Sequence, residues 1–181
     1  KEGSAEAVQQ FHQMNCTTAL VTGDSEKPAK KIASESGIQN VFYSIMPGGK
    51  GEIVSKLQSD GKKVAMIGDG INDAYALAQA DVGIAMGSGT DIAIESAGII
   101  LMKPELTLAV SAIRLSKNVI RIIRQNLFWA FFYNVIAIPL AAGLLYPVNG
   151  FLLNPMIAGA AMAMSSLTVV LNSLRLKRVK I

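Results

Sequence analysis

Apolar positions along the first hundred residues keep changing period. Behind Ser4, a capping residue, Ala5 to Met14 reads as a helix, and Thr18 to Thr22 is a short apolar strand. Ser25 to Ser36 has a helical pattern that stops at Gly37, and Val41 to Ile45 reads as a strand. Lys50 to Ser59 is a helix with Ile53, Val54 and Leu57 on one face, closed by Asp60 and Gly61. Strand Val64 to Ile67, helix Asp73 to Gln79, strand Val82 to Met86, helix Asp91 to Ser96 and strand Ile99 to Met102 complete the series. Strands alternating with helices predict a mostly parallel, Rossmann-like α/β sheet with helices on both faces and ligands beyond the carboxyl ends of its strands.

Pro104 marks a change of regime. Glu105 to Arg124 reads as an amphipathic connector helix with Arg114, Lys117, Arg121 and Arg124 on one face. From Gln125 to Leu174 no Asp, Glu, Lys or Arg occurs. The apolar runs 126–146 and 151–174 each reach the ~20 residues that span a bilayer, with an uncharged turn at Pro147 to Gly150 between them. The expected organisation is an α/β domain over 1–103, a connector over 104–125 and a transmembrane hairpin with a basic tail over 126–181.

Charge supports that division. Residues 1–102 carry 12 acidic and 8 basic side chains, and residues 103–181 carry one acidic and nine basic. The basic residues flank the uncharged block at Arg114 to Arg124 and again at Arg175, Lys177, Arg178 and Lys180. That placement fits cytoplasmic membrane anchors, with both ends on the cytoplasmic side, better than nucleic-acid binding. The single cysteine, Cys16, excludes an internal disulfide. Lone His12 reads as a helix-surface residue, and Trp129 and Tyr146 read as membrane-interface anchors.

The polar signatures fall where a parallel sheet would put a ligand. Thr22, Gly23, Asp24 and Ser25 follow the first strand, and Gly68-Asp69-Gly70-Ile71-Asn72-Asp73 follows the third, with Pro47 and Lys50 between them. Two glycines let the backbone approach an anion, and two carboxylates four residues apart are hard oxygen ligands suited to Mg²⁺ with a phosphate. Taken alone the loop is equally a turn with capping Asp and Asn. Threonine adds a hydroxyl and lysine a point charge for phosphate oxygens.

In this order and setting these residues resemble the haloacid-dehalogenase superfamily, and within it the P-type ATPases. The run from Met66 to Ser96 looks like the second half of a P-type phosphorylation domain. The resemblance implies Mg²⁺ at Asp69 and Asp73, with Asn72 and Asp73 orienting the phosphoryl group. It also implies phosphoryl oxygens held by Thr22 and Lys50, with Gly23 and Asp24 completing the loop. Gly48-Gly49 departs from the acidic pair common before the lysine, and Tyr75 stands where proline is usual. The family's acceptor aspartate in Asp-Lys-Thr-Gly-Thr, its nucleotide-binding insertion and its Thr-Gly-Glu loop do not occur in this sequence. Phosphoryl transfer to a carboxylate needs that nucleophile, so the sequence is expected to supply half an active site and to be inactive alone.

In the uncharged block Tyr133 and Asn134 lie in the first run, and Met162 and Ser166, four apart on one helical face, lie in the second. Polar groups in hydrocarbon are functional candidates, and a thioether favours copper(I). Each has a plain alternative: Asn134 as an interhelical bond, Ser166 as a packing residue, Met162 as lipid-facing filler. The two patterns resemble the last two helices of copper(I)-transporting P-type ATPases, in which Tyr133, Asn134, Met162 and Ser166 would contribute to the ion path. Zinc and cadmium relatives generally carry an acidic residue in the last helix, and none occurs between Phe151 and Leu174.

The expected function is the C-terminal portion of a copper(I)-exporting, ATP-driven pump in the cell membrane. Its partners would be lipid, the rest of the pump and a copper chaperone, with ATP bound mainly by segments outside this sequence. The competing readings are a non-catalytic truncated partner or regulator of a full-length pump, and a membrane-tethered phosphatase.

Overall fold

The computed structural model describes residues 3–46, 48–87, 89–150 and 154–178. The chain divides into two compact units, Lys1–Ser111 and Ala112–Ile181.

In the first unit helices and strands alternate in the expected order: α1 (Ser4–Gln13), β1 (Ala19–Val21), α2 (Glu26–Ser36), β2 (Asn40–Phe42), α3 (Gly49–Ser59), β3 (Ala65–Gly68), α4 (Ala74–Gln79), β4 (Val82–Met86), α5 (Asp91–Glu95) and β5 (Ile99–Leu101). Every strand pair is parallel, with Ala19 opposite Asn40, Ala65 opposite Val82 and Ile84 opposite Ile99. The ladders form two sheets, β1-β2 and β3-β4-β5, where one was expected. Burial explains which strand anchors the unit. In β4 every residue after Val82 is buried, whereas β1 and β3 contain no fully buried residue. β4 reads as an unbroken apolar run because it pairs on both edges and is covered by side chains such as Leu77 from α4.

Asp81, just before β4, ties three elements together. Its carboxylate accepts from Lys63 Nζ at 2.8 Å, from the Val64 N–H at 3.0 Å and from Gln58 Nε2 at 3.1 Å. The lysine bond above all, then the Val64 N–H and Gln58, holds this carboxyl well below the usual carboxylate range.

α6 (Leu106–Ala141) carries residues of both units and runs unbroken through the expected connector–span boundary near Gln125. Nothing at that boundary stops a helix: Arg124, Gln125 and Asn126 all lack the φ > 0 or ring constraints of a terminator. The helix ends before Gly143, at φ 83°, five residues short of the expected span end. α7 (Tyr146–Asn149) occupies the expected turn, α8 (Pro155–Leu174) follows, and a 3₁₀ turn covers Arg175–Arg178. Pro47 and the start of the second expected span, 151–153, lie outside the described residues.

Among the described residues, no helix is long and apolar enough to cross a membrane. The expected hairpin is therefore not seen in that form. The N-terminal half of α6 is charged, and Gly143 cuts its apolar run to 126–141, roughly 24 Å at 1.5 Å per residue. The second unit nevertheless exposes large apolar side chains on many sides. Phe131, Val135 and Ile138 of α6 are more than 60% accessible, and Met162 of α8 is 68% accessible. Its polar groups meet between helices instead. Asn126 donates to Ser173 Oγ at 2.9 Å, and Asn172 donates to Asn126 Oδ1 at 2.8 Å and Gln125 Oε1 at 3.3 Å.

Candidate functional site

Three strand tips of the first unit meet at one cavity of about 400 Å³, lined by Gly23 after β1, Ser44 to Met46 after β2, Lys50 of α3 and Asn72 after β3. The first two tips brace each other. The Thr22 N–H donates to Phe42 O at 2.9 Å, Ile45 N–H to Thr22 O at 3.1 Å, and Ser44 N–H to Asp24 O at 2.8 Å. Ser44 adopts φ 53°, a left-handed turn that delivers its amide to Asp24. Thr22 Oγ1 donates to Asp24 Oδ2 at 2.9 Å and accepts the Asp24 N–H at 3.2 Å. Thr22 and Asp24 thus form a closed side-chain pair beside the cavity, while Gly23 lines it.

The third tip is organised around Asp73, which is buried to 7% accessibility. Its Oδ1 accepts from Lys50 Nζ at 2.5 Å, and its Oδ2 accepts the N–H groups of Gly70 at 3.2 Å and Asp69 at 3.3 Å. The glycine-rich loop therefore cradles an anion, and that anion is its own carboxylate. Gly68 is required by the same contact, since a Cβ there would lie 2.7 Å from Asp73 Cβ. Asn72 and Asp69 are exposed, and Asn72 lines the cavity.

Mg²⁺ bound beside a phosphate needs only one or two carboxylates, the remaining ligands being water and phosphate oxygens. Exposed Asp69 fits that demand, and no three of His, Cys, Asp and Glu gather as a self-sufficient metal cage among the described residues. Asp73 has both oxygens engaged by Lys50 and the loop amides, so its position suits holding Lys50 and the Asp69 backbone.

Sequence reasoning missed several contributors. Ser44, Ile45 and Met46 line the cavity, and the rule that ligands gather at strand ends could have found them after β2. The Thr90 N–H donates to Asp69 O at 3.1 Å, and a Cβ on Gly89 would sit 2.8 Å from that oxygen, so the loop after β4 backs the loop after β3. Tyr75, the departure from proline, lies across Gly51 of α3. A Cβ at Gly51 would fall 2.1 Å from the ring, so the bare glycine makes room for the aromatic side chain.

Among the described residues no side-chain hydrogen bond links Tyr133 or Asn134 of α6 to Met162 or Ser166 of α8. Ser166 Oγ donates to the Met162 carbonyl at 3.3 Å within α8, and Tyr133 packs against Trp129 with centroids 6.3 Å apart within α6. The bonds that tie α6 to α8 come from Gln125, Asn126, Asn172 and Ser173.

Residues 1–81 match the family model of the haloacid dehalogenase-like hydrolases. The parallel sheets and the strand-tip cavity agree with it. The α/β unit has a haloacid dehalogenase-like fold. The similarity extends beyond that domain. The chain is 55% identical over 179 residues to copper-transporting ATPase 2 of Rhizobium meliloti, covering 99% of this chain and 22% of the relative. It is 54% identical over 181 residues to a copper-exporting P-type ATPase of Vibrio cholerae, covering all of this chain and 20% of the relative. A silver exporting P-type ATPase of Salmonella typhimurium is 50% identical over 181 residues, with 100% of this chain and 22% of the relative covered. The chain thus spans about a fifth of the length of the curated relatives it matches. Among solved structures, a zinc-transporting PIB-type ATPase in an E2.Pi state aligns with a TM-score of 0.82 at 32% identity, over 97% of this chain and 28% of that one.

Proposed function

We propose that this sequence is the C-terminal portion of an ATP-driven copper(I)-exporting P-type ATPase, in which the haloacid dehalogenase-like domain supplies phosphate and magnesium ligands. The observation that carries the reading is the convergence of Gly23, Lys50 and Asn72 from separate elements on one cavity. Similarity to copper-transporting P-type ATPases over the whole chain supports it.

The acceptor carboxylate would come from an Asp-Lys-Thr-Gly-Thr segment in the rest of the pump. β1 and β3 each have a single hydrogen-bonded neighbour among the described strands, and the phosphate loops follow these two strands. A strand entering beside them would bring its own tip to the same cavity, in keeping with ligand placement in parallel sheets. In phosphorylation, the bond between the γ-phosphorus of ATP and its bridging oxygen breaks, a bond to the aspartate oxygen forms, and ADP leaves with the electron pair. The Lys50 ammonium would meet phosphoryl oxygens while Asp73 holds it in place. The Gly23 backbone and the Asn72 amide would bind the remaining oxygens, and the Thr22 hydroxyl would join them by turning its one proton from Asp24 to the phosphoryl group. Asp69 would hold Mg²⁺, which neutralises phosphoryl charge when bound.

For the transported ion, Met162 offers a soft thioether and Tyr133, Asn134 and Ser166 offer oxygens, a set suited to copper(I). Identities of 50–55% to copper and silver exporters, against 32% to the zinc pump, support a soft monovalent cargo. Residence of the second unit in the cell membrane, with both ends cytoplasmic, is supported by its exposed apolar side chains and flanking cations. The rest of the pump, lipid and a copper chaperone are the implied partners.

In the parent pump, Asp69→Asn should abolish Mg²⁺-dependent phosphoenzyme formation from ATP and leave copper(I) binding intact. Met162→Ala and Asn134→Ala should weaken copper-stimulated turnover. Full phosphorylation in the Asp69 variant would remove the magnesium assignment, and unchanged copper activation in both membrane variants would remove the ion path.

A further inference from the structure

The second unit holds a groove that neither the phosphate site nor the ion path uses. It is an open concavity of about 540 Å³ on α6, lined by Lys117, Arg121, Arg124, Gln125, Phe128 and Trp129 among others. Its wall changes character along the helix: cations occupy the N-terminal end and aromatic rings the C-terminal end.

No acidic side chain of this unit neutralises the cations. No Asp or Glu side chain follows Glu105 in the sequence, and among the described residues Lys117, Arg121 and Arg124 make no ion pair. The side chains after Leu174 add four more cations, Arg175, Lys177, Arg178 and Lys180. The rings are held as a block: Phe128 and Trp129 meet edge-on with centroids 5.4 Å apart, and Trp129 meets Phe132 at 5.7 Å. Below them the helix surface is apolar, with Phe131 and Val135 exposed. Gln125, on the groove wall, also accepts from Asn172 of α8, which fixes the groove beside the interhelical clamp.

We propose that this groove seats the headgroup of an anionic phospholipid. The ammonium and guanidinium groups hold the phosphate oxygens, and the Phe128 and Trp129 rings lie at the depth where the acyl chains begin. Charge complementarity selects the anion, since three unpaired cations within two helical turns favour a phosphate diester with net negative charge over a zwitterion. The amphipathic order of the wall selects a lipid over a free ion, because a soluble phosphate has no use for the aromatic block or the apolar surface beneath it. The inference rests on membrane residence of the second unit.

Trp129 is the only tryptophan, so its fluorescence reports this groove alone. The full chain is reconstituted in four-to-one phosphatidylcholine/phosphatidylglycerol vesicles, with brominated acyl chains placed either on the phosphatidylglycerol or on an equal number of phosphatidylcholine molecules. Bromine on phosphatidylglycerol should quench Trp129 several-fold more strongly. Replacing Lys117, Arg121 and Arg124 with Gln should remove that excess, at about fivefold in preference per cation. Equal quenching from both lipids in the unaltered chain overturns the headgroup site while leaving membrane residence standing, and needs no variant. Absence of quenching from either lipid overturns membrane residence and the site with it. Loss of the phosphatidylglycerol excess on adding inorganic phosphate, with sodium sulfate as the ionic-strength control, assigns the groove to free phosphate and also overturns the proposal.

Discussion

In the first unit, Leu77 and Ile84 are sealed inside and, among the described residues, those with charged side chains are exposed apart from the Lys50–Asp73 pair at the cavity. In the helical unit the order is reversed: Phe131, Val135 and Met162 face outward, and Gln125, Asn126, Asn172 and Ser173 hydrogen-bond between α6 and α8. A helix that is apolar on many sides gains nothing from facing water, and between two such helices the polar side chains supply the directional contacts. The contrast teaches that the same residue types carry different weight in the two units. In the haloacid dehalogenase-like domain a buried polar group must be fully paired or it is costly, whereas in the helical unit polar groups are the specific contacts between otherwise interchangeable apolar surfaces.

The sharpest test of the contrast is Asp73. Truncating it to Ala strands the Lys50 ammonium, which is only 20% exposed, and releases the amides of Asp69 and Gly70. Breaking a buried pair in this way should cost about 3–5 kcal/mol, measured by urea unfolding of the full chain followed by circular dichroism. Removing both partners as Lys50→Met/Asp73→Leu should recover much of that loss while abolishing phosphate binding. A double variant as unstable as Asp73→Ala would show that the loop amides, not the stranded lysine, dominate.

Next in size is a paired leucine comparison. Leu77 is 1% exposed, and Leu77→Ala should cost about 2–5 kcal/mol through lost burial and the cavity left behind. Leu171 on α8 is 56% exposed, and Leu171→Ala should stay within about 0.5 kcal/mol in detergent. Similar losses at both sites would mean that α8 packs against protein rather than against an apolar solvent.

What the sequence made legible follows from which interactions are local. Gly37 ends α2 and Val82–Met86 forms the buried strand because a stop signal and an apolar run are read over neighbouring positions. The strand-tip residues Gly23, Lys50 and Asn72 were legible because a parallel sheet sends its loops to one edge. The Asp73–Lys50 pair was not, as it joins residues 23 apart in sequence. Nor was the accommodation of Tyr75 by Gly51, which depends on how α3 and α4 pack. The connector–span boundary failed for another reason. A change in composition at Gln125 marks a change in surroundings, but backbone hydrogen bonding continues unless a residue forbids it, and none does between Gln125 and Pro139, which lacks the N–H, four residues before Gly143.

The interhelical clamp gives a smaller effect. Asn126 donates to Ser173 and accepts from Asn172, so Asn126→Leu removes two hydrogen bonds at once. If the second unit resides in a membrane as proposed, polar contacts between its helices should average about 0.6 kcal/mol and reach about 1.7 kcal/mol, so the variant should lose about 1 kcal/mol in a denaturing-detergent titration. A loss comparable to that of Asp73→Ala would erase the distinction between the two units.

The smallest effect separates the units by pH. Asp81 is held below the usual carboxylate range by Lys63, Val64 and Gln58, so it favours the folded domain by staying charged there. A carboxyl group with a depressed folded-state pKa contributes stability that is fully present above its unfolded value of about 4. That contribution is lost as pH falls from there toward the folded value. Wild type and Asp81→Asn should therefore differ by a constant margin from neutral pH down to about 5, and the margin should shrink in more acidic buffer. Salt should narrow it at every pH, because the Lys63 side chain is 90% exposed. Beyond Glu105 there is no Asp or Glu side chain to titrate, so the helicity of α8 should not follow the same acid transition. A margin unchanged through the carboxylate range would show that the advantage of Asp81 over Asn does not come from its charge. Acid melting of α8 together with the haloacid dehalogenase-like domain would show that the helical unit depends on that domain for its own fold.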